Sequence, residues 1–500
     1  MFVLFRKLIK RYPNKSHRAL EILPGFVSWS LISFPVWGSF LWPLGLAYFI
    51  IIFDIYWLYR SVTMAIFAVM SHFRIEANKR YSWMGDVKGF KDWKRVYHTI
   101  VIPTYKEPGT TLERTLKALA SQTLSSKQII PVIAFEERAG KEINETRREL
   151  LEKKFKGKFA KLIFSYHPAN IKGEVVGKSS NAAWGAKTFL KEMKKHKDWE
   201  MDKMTISSLD CDVLLHPNHV AALTYKFLDS PRKYRTIWQG AIMFYNNIEK
   251  IPAPMRVFNR IASVINMGTL MRPDRLINFS TYTLSLKLMD EVGYWDSDVI
   301  PEDYRIFFKT YFATDGEVEV EPIFLPSFAD AAEADGFWNT FTNTYEQVKR
   351  WAWGASDDVY IIKKYILDEK APFWDKTIRV LKVLEDHMLW PVNWFIITLG
   401  ATLPPLLNDK FSRTVIGKTL PQVASAILTL SLVSLLAIIV VDLKARPKVE
   451  GLSWWRRVLS PFEFILLPVV GFFFSAIPGI DAHTRLMLGK YLEYRVTEKV

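Results

Sequence analysis

One cysteine, Cys211, in 500 residues excludes a disulfide framework and any multi-cysteine zinc site, and suits a catalytic domain facing a reducing compartment. The nine histidines form neither an evident metal pair nor the Ser-His-Asp order of a hydrolase. His216 and His219 lie near Asp212, where a helix-start role is the expected explanation. Gly177-Lys178-Ser179-Ser180-Asn181 lacks the G-x-x-x-x-G-K spacing of a phosphate-binding P-loop. No internal repeat and no low-complexity tract is present. Carboxylates are outnumbered, 51 against 67 lysines and arginines, for a formal charge of +16. An excess of this kind attracts nucleic acid, anionic lipid or phosphate-bearing substrates. Much of it sits beside apolar segments (Arg6, Lys7, Lys10, Arg11; Lys444, Arg446, Lys448; Arg456, Arg457), which is the pattern of cytoplasmic membrane loops. Nucleic acid is therefore not an expected partner.

What the chain does have is apolar sequence concentrated at its two ends. Residues 1–20 alternate Phe2, Phe5, Leu8 and Ile9 with Arg and Lys, which predicts an interfacial amphipathic helix rather than a signal peptide. From Pro24 to Val69 only Asp54 and Arg60 are charged, enough for two membrane passes broken near Trp42-Pro43. Toward the carboxyl end, an amphipathic aromatic stretch (Phe373, Trp374, Ile378, Leu381, Leu384) precedes apolar segments at 388–406, 419–442 and 460–480. The second is the clearest span. The third contains Glu463, Pro468 and Pro478, so a kinked or re-entrant course is expected. Three divisions follow: 1–72, an amphipathic segment plus a two-pass hairpin; 73–370, a soluble catalytic domain; and 371–500, an interfacial helix with further spans.

The middle alternates short β-branched runs with helical patterns. Tyr97 to Pro103, Ile129 to Phe135, Lys161 to Tyr166 and Met204 to Leu209 read as strands; Thr111 to Ala120, Lys141 to Phe155 and Ser179 to Lys195 read as helices. Such alternation predicts an α/β domain with a mostly parallel sheet and helices on both faces. Ligands in such sheets bind beyond the carboxyl ends of the strands. Glu107, Glu136-Glu137 and Asp210-Cys211-Asp212 all fall there.

Three clusters can carry chemistry. Asp210 and Asp212 flank Cys211; on an extended backbone both carboxylates would face one side, and hard oxygen donors suit Mg²⁺ or Mn²⁺. A solvated turn after a strand is the competing explanation. Glu302-Asp303 opens a predicted helix, where acidic residues also favour the dipole without any chemical role. Gln347, Arg350 and Trp351 share a helix face; an Arg fork suits phosphate and an indole suits a sugar ring, although an interfacial Arg-Trp pair would look the same.

In this order and between membrane-length segments, Ser208 to Asp212, Pro301 to Arg305 and Gln347 to Trp351 resemble the D-x-D, [ST]-E-D and [QR]-x-x-R-W motifs of membrane-embedded family 2 glycosyltransferases, the group of cellulose, hyaluronan and mannan synthases. The resemblance covers roughly residues 95–360 and implies a GT-A-like domain. It implies Asp303 as general base beside Glu302, and Asp212 as metal ligand, with Asp210 meeting metal and nucleotide. Glu107, Glu136, Lys178, Asn181, Gln347 and Arg350 would hold the donor, and Trp351 would border the acceptor. Two departures stand out: Pro301 replaces the usual Ser or Thr, and Glu136 stands where many members carry Asp for the base. The implied partners are a UDP- or GDP-sugar, a glycan or lipid acceptor and membrane lipids, with Mg²⁺ or Mn²⁺ as cofactor. The expected activity is an inverting transfer to a growing polysaccharide, with export of the product as a further option, from a cytosolic domain on the cytoplasmic membrane. The alternative is a non-processive transferase acting on a lipid. A transporter is disfavoured by the few polar residues in the apolar segments.

Overall fold

A computed structural model describes residues 2–448, 451 and 453–492. The basic helix α1 (Phe2–Arg11) leads into α2 (Pro13–Leu41) and α3 (Pro43–Arg80). Trp42 separates the last two with non-helical dihedrals of −151° and 60°. Pro43 forces this break, because proline restricts the residue before it and starts a helix well. At 29 and 38 residues both helices exceed the roughly 20 needed to cross a bilayer.

An eight-stranded sheet with the order β3-β2-β1-β4-β7-β6-β8-β5 follows. Its first four strands in chain order are β1 (Tyr97–Thr104), β2 (Ile129–Glu136), β3 (Ile163–His167) and β4 (Met204–Ser208), all mutually parallel. β2 is buried along its whole length, as expected of a strand covered on both faces. The helices α4 (Gly109–Ala120), α5 (Lys141–Phe155) and α6 (Lys178–Met193) make the crossovers. α6 lies directly on the sheet at Gly185. A Cβ there would stand 3.0 Å from Val101 Cγ1 and 3.2 Å from Ala134 Cβ, so any side chain would press on both strands.

The far half of the sheet departs from the parallel expectation. β5 (Leu214–Leu215) pairs antiparallel with β8 (Glu319–Phe328), and β7 (Tyr282–Ser285) runs antiparallel to both β4 and β6 (Thr236–Met243). Only β6 and β8 are parallel there. The helices of this half include α7 (His219–Asp229), α8 (Ala253–Thr269), α9 (Glu302–Ala313) and α10 (Phe337–Ala352). His216 Nδ1 accepts the Asn218 N–H just ahead of α7.

Beyond α10, the charged helix α11 (Phe373–Leu389) leads to the membrane-side elements. The apolar stretch at 388–406 is not one continuous helix. It breaks into the short helices Asn393–Leu399 and Leu403–Leu407, interrupted where Pro391, Gly400, Pro404 and Pro405 lie. α12 (Val415–Ala445) is a 31-residue helix long and apolar enough to cross, and Trp454–Met487 is a fourth such stretch. The latter changes pitch along its course, with a 3₁₀ segment at Ser460–Leu466 and a π-type segment at Phe472–Ala476 kinked at Phe474. Helices of membrane-spanning length thus flank the α/β domain on both sides.

The α/β domain and the long apolar helices are joined by buried charge. Arg260 on α8 reaches Asp442 on α12 at 2.7 Å and Glu463 at 3.1 Å, while Arg256 holds Glu463 at 2.7 Å. The Tyr245 hydroxyl donates to Asp442 at 3.0 Å.

Candidate active site

The carboxyl ends of β1, β2 and β4 open onto a cavity of about 1550 Å³ that continues between the long apolar helices. Glu107, Glu136, Lys178, Asn181, Asp210, Asp212, Glu302, Asp303, Gln347, Arg350 and Trp351 all line it. Every residue singled out from the sequence for a role therefore borders one space, although the chain supplies them from six different stretches.

Lys178 is the hub. Its ammonium, at the first position of α6, lies 2.7 Å from Asp210 and 2.9 Å from Glu302, and donates to the Ser280 carbonyl at 2.6 Å. The two neighbouring carboxylates hold the lysine well above its ordinary range against the opposing effect of burial. Burial is also the largest influence on Glu302, pushing its carboxyl up to about 7; Lys178 opposes this, and Asp303 and Asp210 add to it. One cation thus ties together two motifs far apart in the chain.

Asp303 is held by backbone. One carboxylate oxygen accepts the Ser280 N–H at 3.0 Å and the other its neighbour Tyr304 N–H at 2.9 Å. Ser280 has a φ of 55°, and its hydroxyl donates to Asp210 at 2.6 Å. The same loop residue therefore fixes both acidic motifs. Each Asp303 oxygen keeps a lone pair for a further donor.

Asp210 and Asp212 both reach the cavity, but not from an extended strand. β4 ends at Ser208, and the chain turns with the Val213 N–H on the Asp210 carbonyl at 3.0 Å, so Cys211 borders the cavity as well. Asp212 is buried, and its Oδ2 accepts the Asp330 N–H at 2.8 Å. Among the described residues no three or more His, Cys, Asp or Glu converge as a complete metal shell. Two carboxylates facing an open cavity still fit Mg²⁺ or Mn²⁺. Such ions keep several water or substrate-phosphate ligands and take only one or two carboxylates from the protein.

The remaining residues divide by how they are held. Glu107 Oε2 accepts from the Thr104 hydroxyl at 2.8 Å and the Tyr105 N–H at 2.6 Å. Glu136 is buried, with Oε2 met by Arg138 at 3.2 Å and His167 at 3.3 Å. Asn181 donates to the Ala134 carbonyl at 2.7 Å, so its amide ties the end of β2 to α6, while its Oδ1 is buried without a hydrogen-bond partner. Gln347 Oε1 is likewise buried and unpartnered. Trp351 stacks with Phe244 and Phe258 at centroid distances of 5.8 and 6.1 Å, presenting a rigid aromatic wall.

Sequence reasoning missed a second group on the cavity wall. Arg60, Arg272, Arg275, Arg379 and Lys382 line it, together with Asp274 and Asp386. Arg379, Lys382, Asp386 and Trp390 recur at helical spacing along α11 and just past it. That period is visible in the sequence, but it does not tell which way the charged face points. His387, on the same face, bonds Asp358 at 2.7 Å.

Residues 205–443 match the family described as glycosyl transferase family group 2. No curated protein matches the chain. Among solved structures, the chain is similar to the mannosyltransferase PcManGT from Pyrobaculum calidifontis in complex with GDP-Man and Mn²⁺. Identity is 12%, coverage is 86% of this chain and 100% of that one, and the TM-score is 0.42. It is also similar to S. aureus TarS 1-349 in complex with UDP-GlcNAc, at 12% identity over 68% of this chain and 90% of that one, with a TM-score of 0.33. On the family match, the protein is a glycosyltransferase with a family group 2 segment at residues 205–443.

Proposed function

We propose that the protein transfers a sugar, with inversion, from a nucleoside-diphosphate sugar to an acceptor hydroxyl that reaches the site from the membrane side. The observation that carries this reading is the single cavity joining Asp303 and Lys178 to the membrane helices. Asp303, fixed by two backbone N–H groups, accepts the proton of the acceptor hydroxyl as its oxygen bonds to the anomeric carbon. The bond from that carbon to the diphosphate breaks in the same displacement, and its electron pair leaves with the nucleoside diphosphate. Lys178 and Arg350 balance the charge that develops there. Mg²⁺ or Mn²⁺ held by Asp212 and Asp210 would neutralise the diphosphate further. Glu302 holds Lys178 in place. Glu107 and Glu136 lie on the nucleoside side, and Trp351 borders the acceptor.

Two acceptors fit the lower half of the cavity. Trp57, Trp390 and Trp394 line it and offer flat faces to a sugar chain, which favours polymer synthesis with export. The wall between α12 and the segment after it favours a lipid-borne acceptor. Leu432, Phe462 and Ile465 line the cavity, yet are 57%, 70% and 84% exposed, so the cavity opens sideways through apolar surface at membrane depth. We favour the lipid. On either reading, the basic flanks of the apolar segments put the α/β domain on the cytoplasmic side.

The test is nucleoside-diphosphate release by detergent-purified protein offered UDP- and GDP-sugars with Mg²⁺ or Mn²⁺ and a membrane lipid extract. Release that disappears in Asp303→Asn and Asp212→Ala is expected. Release that persists in both, or no release from any donor by folded protein, refutes the assignment.

A further inference from the structure

The polar side chains that α11 turns toward the cavity differ in how far they are committed. Arg379 and Lys382 of the cationic wall are spent on Asp375 and Asp274. His387, further along the same helix, is only half spent. Its Nδ1 lies 2.7 Å from Asp358, which is buried at the start of the helix Asp358–Leu367. The carboxylate accepts there, so Nδ1 carries a proton and the ring is held in one orientation. Nε2 has no hydrogen-bond partner among the described residues and is not one of their sealed polar atoms, so it opens onto the cavity that His387 lines.

Two neighbours place this nitrogen. Gly354, just after Trp351 in the chain, also lines the cavity, and a Cβ there would stand 3.4 Å from Nε2. A larger side chain at that position would cover the nitrogen, whereas glycine leaves it open. The Tyr304 ring lies 5.4 Å from the imidazole between centroids, while the Tyr304 N–H is the one that Asp303 accepts at 2.9 Å. One residue thus touches both Asp303 and the imidazole. Burial disfavours the imidazolium, but Asp358 outweighs it, with Asp386 and Asp357 adding to the effect, so the ring keeps its proton above the ordinary histidine range. Asp357 is itself paired with Arg305 at 2.7 Å, and among the described residues Tyr304 and His483 are the other titratable groups beside the ring.

We propose that His387 binds the acceptor: its protonated Nε2 donates to an acceptor oxygen and so holds the attacking hydroxyl before Asp303. This deepens the transferase reading given above and rests on it. A pin between two helices would use Nδ1 and Asp358 alone, and would give no reason for a second nitrogen facing open space beside a glycine. The position favours the acceptor over the donor, because Trp390 and Trp394 continue from His387 into the lower half of the cavity, whereas Lys178 and Asp210 mark the donor end. The oxygen is an ordinary hydrogen-bond acceptor, from a hydroxyl or a phosphate, and the variants below tell the two apart.

The test uses the full chain in detergent with the membrane lipid extract as acceptor. Nucleoside-diphosphate release is followed while the extract is titrated at saturating donor, and the donor is titrated at fixed extract. His387→Asn keeps an amide N–H for Asp358 and removes the cavity nitrogen. In this variant the extract needed for half-maximal rate should rise about 10-fold or more, while the donor KM stays as in the parent. In the parent that half-saturating amount should rise as the pH climbs past the imidazolium's titration, and in His387→Asn it should stay flat. His387→Gln brings a neutral N–H to the place of Nε2; recovery of most of the loss would make the oxygen a hydroxyl, and recovery of little would make it a phosphate. Parental half-saturation in His387→Asn, a parental pH profile in that variant, or a donor KM that moves as far as the acceptor value would each overturn the proposal. If His387→Asn does not fold, the pH profile of His387→Gln decides, and a slope equal to the parent's overturns it. A parent protein that releases no nucleoside diphosphate from any donor would instead overturn the transferase reading.

Discussion

Arg260 and Asp442 meet at 2.7 Å with both side chains wholly buried, at the seam between the α/β domain and the long apolar helices. Removing one partner of such a pair strands the other charge, which costs about 3–5 kcal/mol. Asp442→Asn or Arg260→Met should therefore lower the thermal midpoint sharply in detergent. The exchange of both residues for apolar ones should recover much of the loss. A single substitution that leaves the midpoint unchanged would show that the seam does not depend on this contact.

Asp303→Asn keeps an oxygen for the Ser280 N–H but removes the base. Turnover should fall about 10²–10⁴-fold. Nucleoside-diphosphate affinity, measured by titration, should hardly move, because Asp303 is assigned to the acceptor hydroxyl. A loss of affinity as large as the loss of rate would assign Asp303 to the donor instead.

Glu302 carries its proton up to about 7 in the folded protein, whereas an unfolded glutamate releases it near 4.5. Between those values the folded state holds more protons, so this group's contribution to stability falls as pH rises through the window and levels off above it. Glu302→Gln should flatten the decline in the ligand-free midpoint between roughly pH 5 and roughly pH 7.5. Parallel profiles for parent and variant would contradict the burial-driven shift.

Gly185→Val places methyl groups where Val101 and Ala134 already lie. Overpacking of this kind destabilises by about 1–3 kcal/mol. Because α6 also carries Lys178 and Asn181, donor affinity should weaken along with stability. An unchanged chemical-denaturation midpoint would mean that the helix shifts freely.

The parallel half of the sheet was legible because Tyr97 to Pro103 and Ile129 to Phe135 are short apolar runs rich in β-branched residues, separated by helical periods. The antiparallel half was not. β5 has two residues and β7 four, too short for any period to register. The acidic motifs could be found by their local spacing, but the Lys178 bridge between them depends on tertiary geometry alone. A turn at Asp210 stands among the sequence readings, but the Thr281 and Asp330 contacts that shape it come from distant chain. The cationic wall draws on residues 60, 272, 275, 379 and 382, and no window of sequence contains it.

The cavity has two owners. Its upper wall is built by the sheet and its lower wall by α11, α12 and the final apolar segment, and these stretches fold around different neighbours. On the proposed function, changes at Leu432 would alter which acceptor is admitted without moving Asp212 or Lys178, and changes around Glu136 would alter the donor without touching the apolar opening. Such a division would let one scaffold diversify along two independent axes.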